Sequence, residues 1–259
     1  MISTSTRYQI ITNNMTRTKA LIENDTVVKR EIEYYNKTIK TIKTLDDFIK
    51  NDRVFKFAMK AYGLEDMAFG KALIKKLLQE GLSNPTSMAN KMTNPLYKEF
   101  AKAFDFAGKG AEATSAASAT TGAVEKYVQQ TLEQREGDDN QGVRLALYFK
   151  RKASSITTTM GILADKAIME FVQTTFSIPK AAAKADIDVQ VRQLEKLIDI
   201  KDFQDPKKVD KLIQRFSAMW DMNNASMSAP ILTLFNQSSD QGVSLDLMMS
   251  IANLKRGGW

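Results

Sequence analysis

The sequence predicts an all-α protein, and three observations carry that reading. Apolar residues recur at steps of three and four along most of the chain, the spacing of one face of an α-helix, as in Val28, Ile32, Tyr35, Ile39 and Ile42. Helix punctuation stands beside these stripes. Thr44-Leu-Asp-Asp47 has the form of a capping box, and Asn84-Pro85, Asn94-Pro95 and Asp205-Pro206 each place a capping residue before a proline suited to the first helical turn. Sustained alternation of the kind a half-buried strand needs is nearly absent. The punctuation also recurs. Leu73 to Met92 superimposes without a gap on Leu194 to Ile213, setting Leu73 on Leu194, Leu82 on Phe203, Pro85 on Pro206 and Met92 on Ile213. Val54, Phe57, Tyr62 and Leu64 fall on Ile168, Phe171, Phe176 and Ile178 if the second copy carries an insertion around Pro179 to Lys184. The expected architecture is therefore two related, degenerate helical repeats forming one elongated or bilobed helical protein.

Residues 1–54 read as an N-terminal helical segment. Tyr8, Ile11, Met15 and Ile22 keep one face, Asn24-Asp25 interrupts it, and the seam beginning at Val28 follows. From Thr44 a helix points Phe48, Phe55, Met59 and Tyr62 inward. The first repeat spans 55–107, with Gly81 standing where a left-handed C-cap is needed and Phe100 and Phe104 extending the last apolar face. Residues 108–142 read as a small-residue linker and connecting helix. Gly108 to Gly122 offers nothing large to bury and is expected to be mobile, a closely packed alanine-rich helix being the alternative. Tyr127 to Gln134 is helical, and Glu136 to Gly142 has the composition of a turn. The second repeat spans 143–222. Val143 to Phe149 alternates like a strand, but its leucine, alanine and arginine content favours helix. Ile187, Val191, Leu194 and Ile198 form one stripe, and Val209, Ile213, Phe216 and Trp220 another. An apolar, methionine-rich tail occupies 223–259.

Composition removes whole classes of chemistry. Among 259 residues, 43% are hydrophobic, enough for a real core, while histidine and cysteine are both absent. Ser-His-Asp and Cys-His triads, imidazole or thiolate metal sites, redox disulfides and histidine general bases are thereby excluded. The net charge of +7 is mild, and the basic residues are interleaved with acids except at Lys150-Arg-Lys152. That pattern reads as solvated helical faces rather than a nucleic-acid stripe. No apolar run is long enough to span a membrane. The start lacks the basic and apolar regions of a cleaved secretory signal, so the expected location is the cytoplasm or a site reached by signal-less export.

The candidate sites resolve mostly into capping and solvation. Gly63-Leu-Glu-Asp-Met-Ala-Phe-Gly70-Lys71 spaces its glycines by six residues where a phosphate loop requires four, and alanine follows the lysine. Asp199, Asp202 and Asp205 are spaced like a ligand set, but Asp205 is explained as the cap before Pro206, and Asp186-Ile-Asp188 lacks the glycine and closing glutamate of a calcium loop. Glu133, Glu136, Asp138 and Asp139 could supply the two carboxylates of a glycosidase and are read instead as solvated acids of a turn. No catalytic residue, metal or cofactor is expected. Met219, Met222, Met227, Met248 and Met249 suit irregular cores or adaptable partner surfaces, with core filling favoured. Ile231, Leu234, Phe235, Leu247, Ile251 and Leu254 are the candidate partner contact, since a nearly uncharged segment carrying them needs a cover.

Several stretches carry a resemblance. Asp46-Asp-Phe48, Phe57-Ala-Met-Lys-Ala-Tyr-Gly-Leu64, Tyr127-Val-Gln-Gln-Thr-Leu-Glu133, Gly142-Val-Arg-Leu-Ala-Leu-Tyr-Phe149, Ile162-Leu-Ala-Asp165 and Asp202-Phe-Gln-Asp-Pro206 closely resemble a bacterial family named only as a domain of unknown function, over roughly Tyr8 to Asp221. Members of that family are often labelled flagellar proteins, some of them basal-body rod proteins, and are encoded among flagellar genes. The resemblance implies a flagellar role and transfers no catalytic or binding residue. The absence of cysteine and of a cleaved signal agrees with what the resemblance implies, since flagellar axial proteins typically lack both, while the absence of a long β-rich centre, which rod and hook proteins usually have, speaks against a rod protein. The expected function is a non-enzymatic structural or protein-interaction protein of the bacterial flagellum, with flagellar proteins or a second copy as partners. A basic helical nucleic-acid binder and a carboxylate-based hydrolase are the alternatives.

Overall fold

The computed structural model describes residues 2–224, in which the chain forms helices joined by turns and short 3-10 segments, with no strand among the described residues. The chain divides into two compact units, Met1–Trp220 and Asp221–Trp259. Of the second, the described residues 221–224 form the end of a helix.

Local capping accounts for most of the helix starts. α1 (Thr4–Asn13) begins where the Ser3 hydroxyl accepts the Thr6 N–H, and α2 (Met15–Glu23) follows after Asn14. α3 (Thr26–Ile39) is capped by Asp25, which accepts the Val27 and Val28 N–H groups. Thr44 opens α4 (Leu45–Lys50) by accepting the Asp47 N–H at 3.1 Å, and Asn51 does the same for α5 (Asp52–Ala61). The stripes point as the spacing predicts, with Tyr8, Ile11, Val28, Tyr35, Ile39, Phe48, Phe55 and Met59 buried. α6 (Lys71–Glu80) ends at Gly81, whose φ is +61° and where a Cβ would lie 2.7 Å from that of Ala107. Both backbone and space demand glycine there.

The next start departs from expectation. Asn84 uses its side chain in a local turn, accepting the Thr86 N–H at 2.9 Å, so Pro85 lies in that turn and begins no helix. α7 (Met88–Lys91) starts three residues later, with the Glu80 carboxylate accepting the Met88 N–H. α8 (Pro95–Ala103) does start at its Asn94-Pro95 signal and is followed by α9 (Phe106–Lys109).

The stretch expected as a mobile linker is partly buried and pinned. Ala113, Thr114 and Ala119 have no exposed surface. Tyr35 Oη donates to the Ala119 carbonyl at 2.6 Å, Tyr62 Oη to that of Ser118 at 2.8 Å, and Thr114 Oγ1 to that of Ile42 at 2.7 Å. Small side chains let this backbone come close enough to accept hydroxyl groups from the core. The expected turn at Glu136 to Gly142 is also corrected. α10 (Thr121–Asp139) runs through most of it, and Asn140 alone separates α10 from α11 (Gln141–Lys152), capping the latter through the Gly142 N–H. Packing and an Arg7–Glu136 ion pair outweigh the helix-weakening Gly137.

α12 (Thr159–Ala164), α13 (Lys166–Phe176), α14 (Ile187–Leu197) and α15 (Pro206–Asn224) complete the described chain. The α10–α11 hairpin is central to the first unit: α10 packs on α2 and α5, and α11 on α1 and α13. A single apolar core runs from Tyr8 to Phe216, through near-parallel ring stacks of Tyr35, Phe57 and Tyr127 and of Phe149, Phe171 and Phe216. Gly142 leaves room for the Trp220 indole, which would lie 2.4 Å from a Cβ at that position.

The duplication is not confirmed. Val54 and Phe57 share burial with Ile168 and Phe171, but the proline equivalence fails. Pro206 opens a nineteen-residue helix, whereas the helix after Pro85 has four residues and starts beyond it. Phe203 is 1% exposed and Leu82 only partly buried.

Burial also sets an alkaline limit. It pushes the Tyr62 hydroxyl up to about 12, with the Glu99 carboxylate acting in the same direction, and it raises Tyr8 and Tyr35 as well. A hydroxyl held neutral in the fold and ordinary when unfolded contributes stability that is full below the unfolded value of about 10 and is lost as pH climbs through the folded value. Urea midpoints should therefore fall between pH of about 10 and 12. The fall should be shallower in Tyr62→Phe, and an identical pH profile in that variant would refute the assignment to Tyr62.

Candidate functional site

The α10–α11 hairpin forms one side of a cleft of about 610 Å³. Gln130, Glu133 and Gln134 on α10 line it together, as do Gln141, Arg144, Leu145 and Tyr148 on α11, because residues three, four and seven apart share a helix face. The opposite side comes from the turn after α5 (Gly63 to Met67), from Asn94 and Leu96 at the start of α8, and from the α12–α13 junction at Asp165.

Several charged groups of this cleft are already engaged. Glu133 is 1% exposed and accepts Arg151 Nε and Nη2 at 2.8 Å each, with Gln129 Nε2 adding a third bond at 2.8 Å. Burial works against the Arg151 charge, and the hydrogen bonds and charge of Glu133 outweigh it, so the guanidinium is held protonated more firmly than usual. Asp165 caps α13 through the Ala167 and Ile168 N–H groups and accepts Tyr148 Oη at 2.6 Å. Burial, reinforced by Asp165, raises the Tyr148 hydroxyl far above the ordinary tyrosine value. Such a phenol is a hydrogen-bond donor at neutral pH and a poor general base. Lys60 lies 4.0 Å from Glu65. Asp66, Gln141, Arg144 and Lys166 stand exposed at the mouth, and Gln130 and Gln134 are half-buried within it.

The basic run Lys150-Arg-Lys152 turns out to be a hub. Lys150 pairs with Asp210 on α15, Arg151 with Glu133 on α10 and Lys152, itself buried, with Glu99 on α8. Three successive positions on a helix point in three directions, so the run ties three helices to α11 and presents no common face to a polyanion.

The acids weighed as a glycosidase pair are divided. Glu133 and Glu136 are buried and each is held by its own arginine, Glu136 accepting Arg7 Nε at 2.7 Å and Nη2 at 2.9 Å, while Asp138 and Asp139 are exposed. Asp199 and Asp205 cap the Lys201 and Lys207 N–H groups, and Asp202 pairs with Lys208. No group of acids able to hold a metal ion occurs among the described residues. Met222 is 64% exposed and Met219 partly so, which is not the core filling expected of them. Met227, Met248 and Met249 lie outside the described residues, as do the candidate contacts Ile231, Leu234, Phe235, Leu247, Ile251 and Leu254. No helix among the described residues is long and apolar enough to cross a membrane.

Sequence reasoning missed this cleft. The spacing of Gln130 and Gln134 was visible, but glutamines on a helix are ordinary surface residues until the opposite side of a cleft is known.

A family model described as "Protein of unknown function (DUF1217)" matches residues 61–209. Among solved structures, protein AGR_C_984 from Agrobacterium tumefaciens is similar to this chain. It shares 45% identity with a TM-score of 0.79, over 86% of this chain and 97% of that one. None of the curated proteins matches.

Proposed function

The chain belongs to the DUF1217 family of proteins of unknown function, and from that premise we propose that it is a non-enzymatic structural or protein-interaction protein of the bacterial flagellum. The flagellar part of this reading comes from the sequence resemblance over Tyr8 to Asp221. The non-enzymatic part is supported by one feature of the cleft and its surroundings: the buried acids Glu133 and Glu136, the strongest acid–base candidates in the sequence, are each neutralised by a bidentate arginine. A general acid or base needs a titratable group free to exchange its proton with a substrate. Flagellar proteins or a second copy of the chain are the proposed partners, with Ile231, Leu234, Phe235, Leu247, Ile251 and Leu254 as the proposed contact. The protein would act in the cytoplasm or at the flagellum after signal-less export.

The test uses a deletion strain of a flagellated host. Swimming should be impaired, restored by the full chain, and not restored by a chain ending at Asn223. Tagged full chain captured from motile cells should bring flagellar components with it, and the truncated chain should not. Normal swimming without the gene, or capture that recovers no flagellar component, would remove the reading.

A further inference from the structure

The sequence gives α14 an apolar stripe of Ile187, Val191, Leu194 and Ile198, and the structure buries only Leu194 and Ile198 of it. Ile187 is 54% exposed, Val189 and Leu197 are exposed as well, and the 3-10 turn Lys180–Lys184 that precedes α14 buries nothing. Leu194 is thus the one buried side chain between 179 and 197. Polar contacts do not make up the difference. Gln190 donates to the Ala183 and Ala185 carbonyls, inside the same stretch, and among the described residues no ion pair or side-chain hydrogen bond joins 179–197 to another helix. By contrast, α1, the start of α3 and α15 are each tied to the α10–α11 hairpin by an ion pair, Arg7–Glu136, Asp25–Arg135 and Lys150–Asp210.

The seam beneath this stretch is open. A groove of about 530 Å³ is lined by Ala183, Ile187 and Gln190 on one side and by Leu163, Met169 and Gln173 of α12 and α13 on the other, so facing side chains forgo part of the contact that holds packed helices together. Both ends of the stretch break the helical backbone at single residues. Ser177 ends α13 in the left-handed region at φ +54°, the only non-glycine residue with positive φ among the described residues, and Ile198 leaves α14 extended at φ −133°. Element-terminal residues of this kind absorb the dihedral changes of a hinge. Ile178 and Ile198, just outside the stretch, are buried and fix its two ends. We propose that residues 179–197 form a hinged flap that opens as one unit about Ser177 and Ile198 while the other helices stay packed, uncovering the face of α12 and α13 that carries Leu163 and Met169. Opening of this kind requires only that the flap be held far more weakly than the core, and Leu194 is its one fully inserted anchor. The flap controls access to that face and is independent of any flagellar role.

Native-state hydrogen exchange of the full chain, followed residue by residue by NMR, tests this. The protected amides of α14 should share one opening constant, at least about 100-fold larger than those of α10 and α11. Urea below the unfolding transition should leave that constant nearly unchanged while raising the constants of α10 and α11, because a local opening exposes little surface. Leu132→Ala, in the core on α10, should speed exchange in α10 and α11 by about tenfold or more and leave α14 within about twofold. Leu194→Ala should speed α14 by about tenfold or more. The sequence holds no cysteine, so Met169→Cys places a unique thiol on the covered face, and its labelling by a bulky maleimide should be about tenfold faster when Leu194→Ala is added. Protection of α14 equal to that of α10 and α11, a urea dependence as steep as theirs, an equal response of all three helices to Leu132→Ala, or labelling at position 169 indifferent to Leu194→Ala would overturn the flap. The wild-type comparison and its urea dependence decide the matter even where a variant fails to fold.

Discussion

Phe203→Asp is expected to destabilise the protein by about 5 kcal/mol, a large part of the stability of an ordinary domain. Phe203 is 1% exposed and meets Phe149 edge-on with centroids 5.1 Å apart, in the same stack that continues through Phe171 to Phe216. Aspartate there loses the aromatic contacts and places a carboxylate in a buried site packed against aromatic rings. Leu82→Asp is the informative comparison. Leu82 is only partly buried, so its carboxylate can reach water, and the cost should be about 1–2 kcal/mol. Urea unfolding followed by far-ultraviolet circular dichroism would read both. Similar costs at the two positions would restore the equivalence that a duplication requires; a small cost at Phe203 would contradict its place in the core.

Glu133→Ala is expected to cost about 3 kcal/mol, the second largest single effect. The substitution leaves Arg151, with its side chain 26% exposed, lacking the carboxylate that accepts two of its hydrogen bonds, and it removes the acceptor for Gln129. The partial exposure of Arg151 places the cost at the lower end for a broken buried pair. Glu136→Ala tests the same reasoning in a wetter setting. Its partner Arg7 is 39% exposed, so water can replace the lost carboxylate and the cost should be about 1 kcal/mol. Thermal or urea unfolding of the two variants would rank them, and a larger loss at Glu136 would mean that burial does not govern these pairs. Combining Glu133→Ala with Arg151→Met should recover part of the loss, because the orphaned charge is then removed as well.

The parts of this protein legible in its sequence are those decided within a few residues. The Thr44 box, the Asn94-Pro95 start, the cap before Pro206 and the glycine at Gly81 are each settled by one backbone group and a side chain nearby, and the structure has them where the signals stand. The apolar stripes are similarly local, since a helix face is a matter of spacing. Helical class follows from both. At Asn84-Pro85 two local outcomes compete, a helix cap and a turn, and residues from elsewhere decide: the Glu80 carboxylate captures the Met88 N–H and places the helix start there.

What only the tertiary structure decided involves partners far apart in the chain. An alanine and serine stretch looks empty because its own side chains bury little; it becomes a buried element because Tyr35 and Tyr62 reach its carbonyls from α3 and the end of α5. Lys150-Arg-Lys152 looks like a surface patch until Asp210, Glu133 and Glu99 arrive from three different helices. Glu133 and Glu136 look solvated because the sequence does not reveal which arginines will neutralise them. The cleft follows the same rule: the amide spacing of Gln130 and Gln134 is written in α10, but Gly63, Leu145 and Asp165 face it only once the surrounding helices have packed. Caps and stripes are set by the bond geometry of neighbouring residues. Long-range pairs are set by which faces the core brings together, and that is a property of the packed chain.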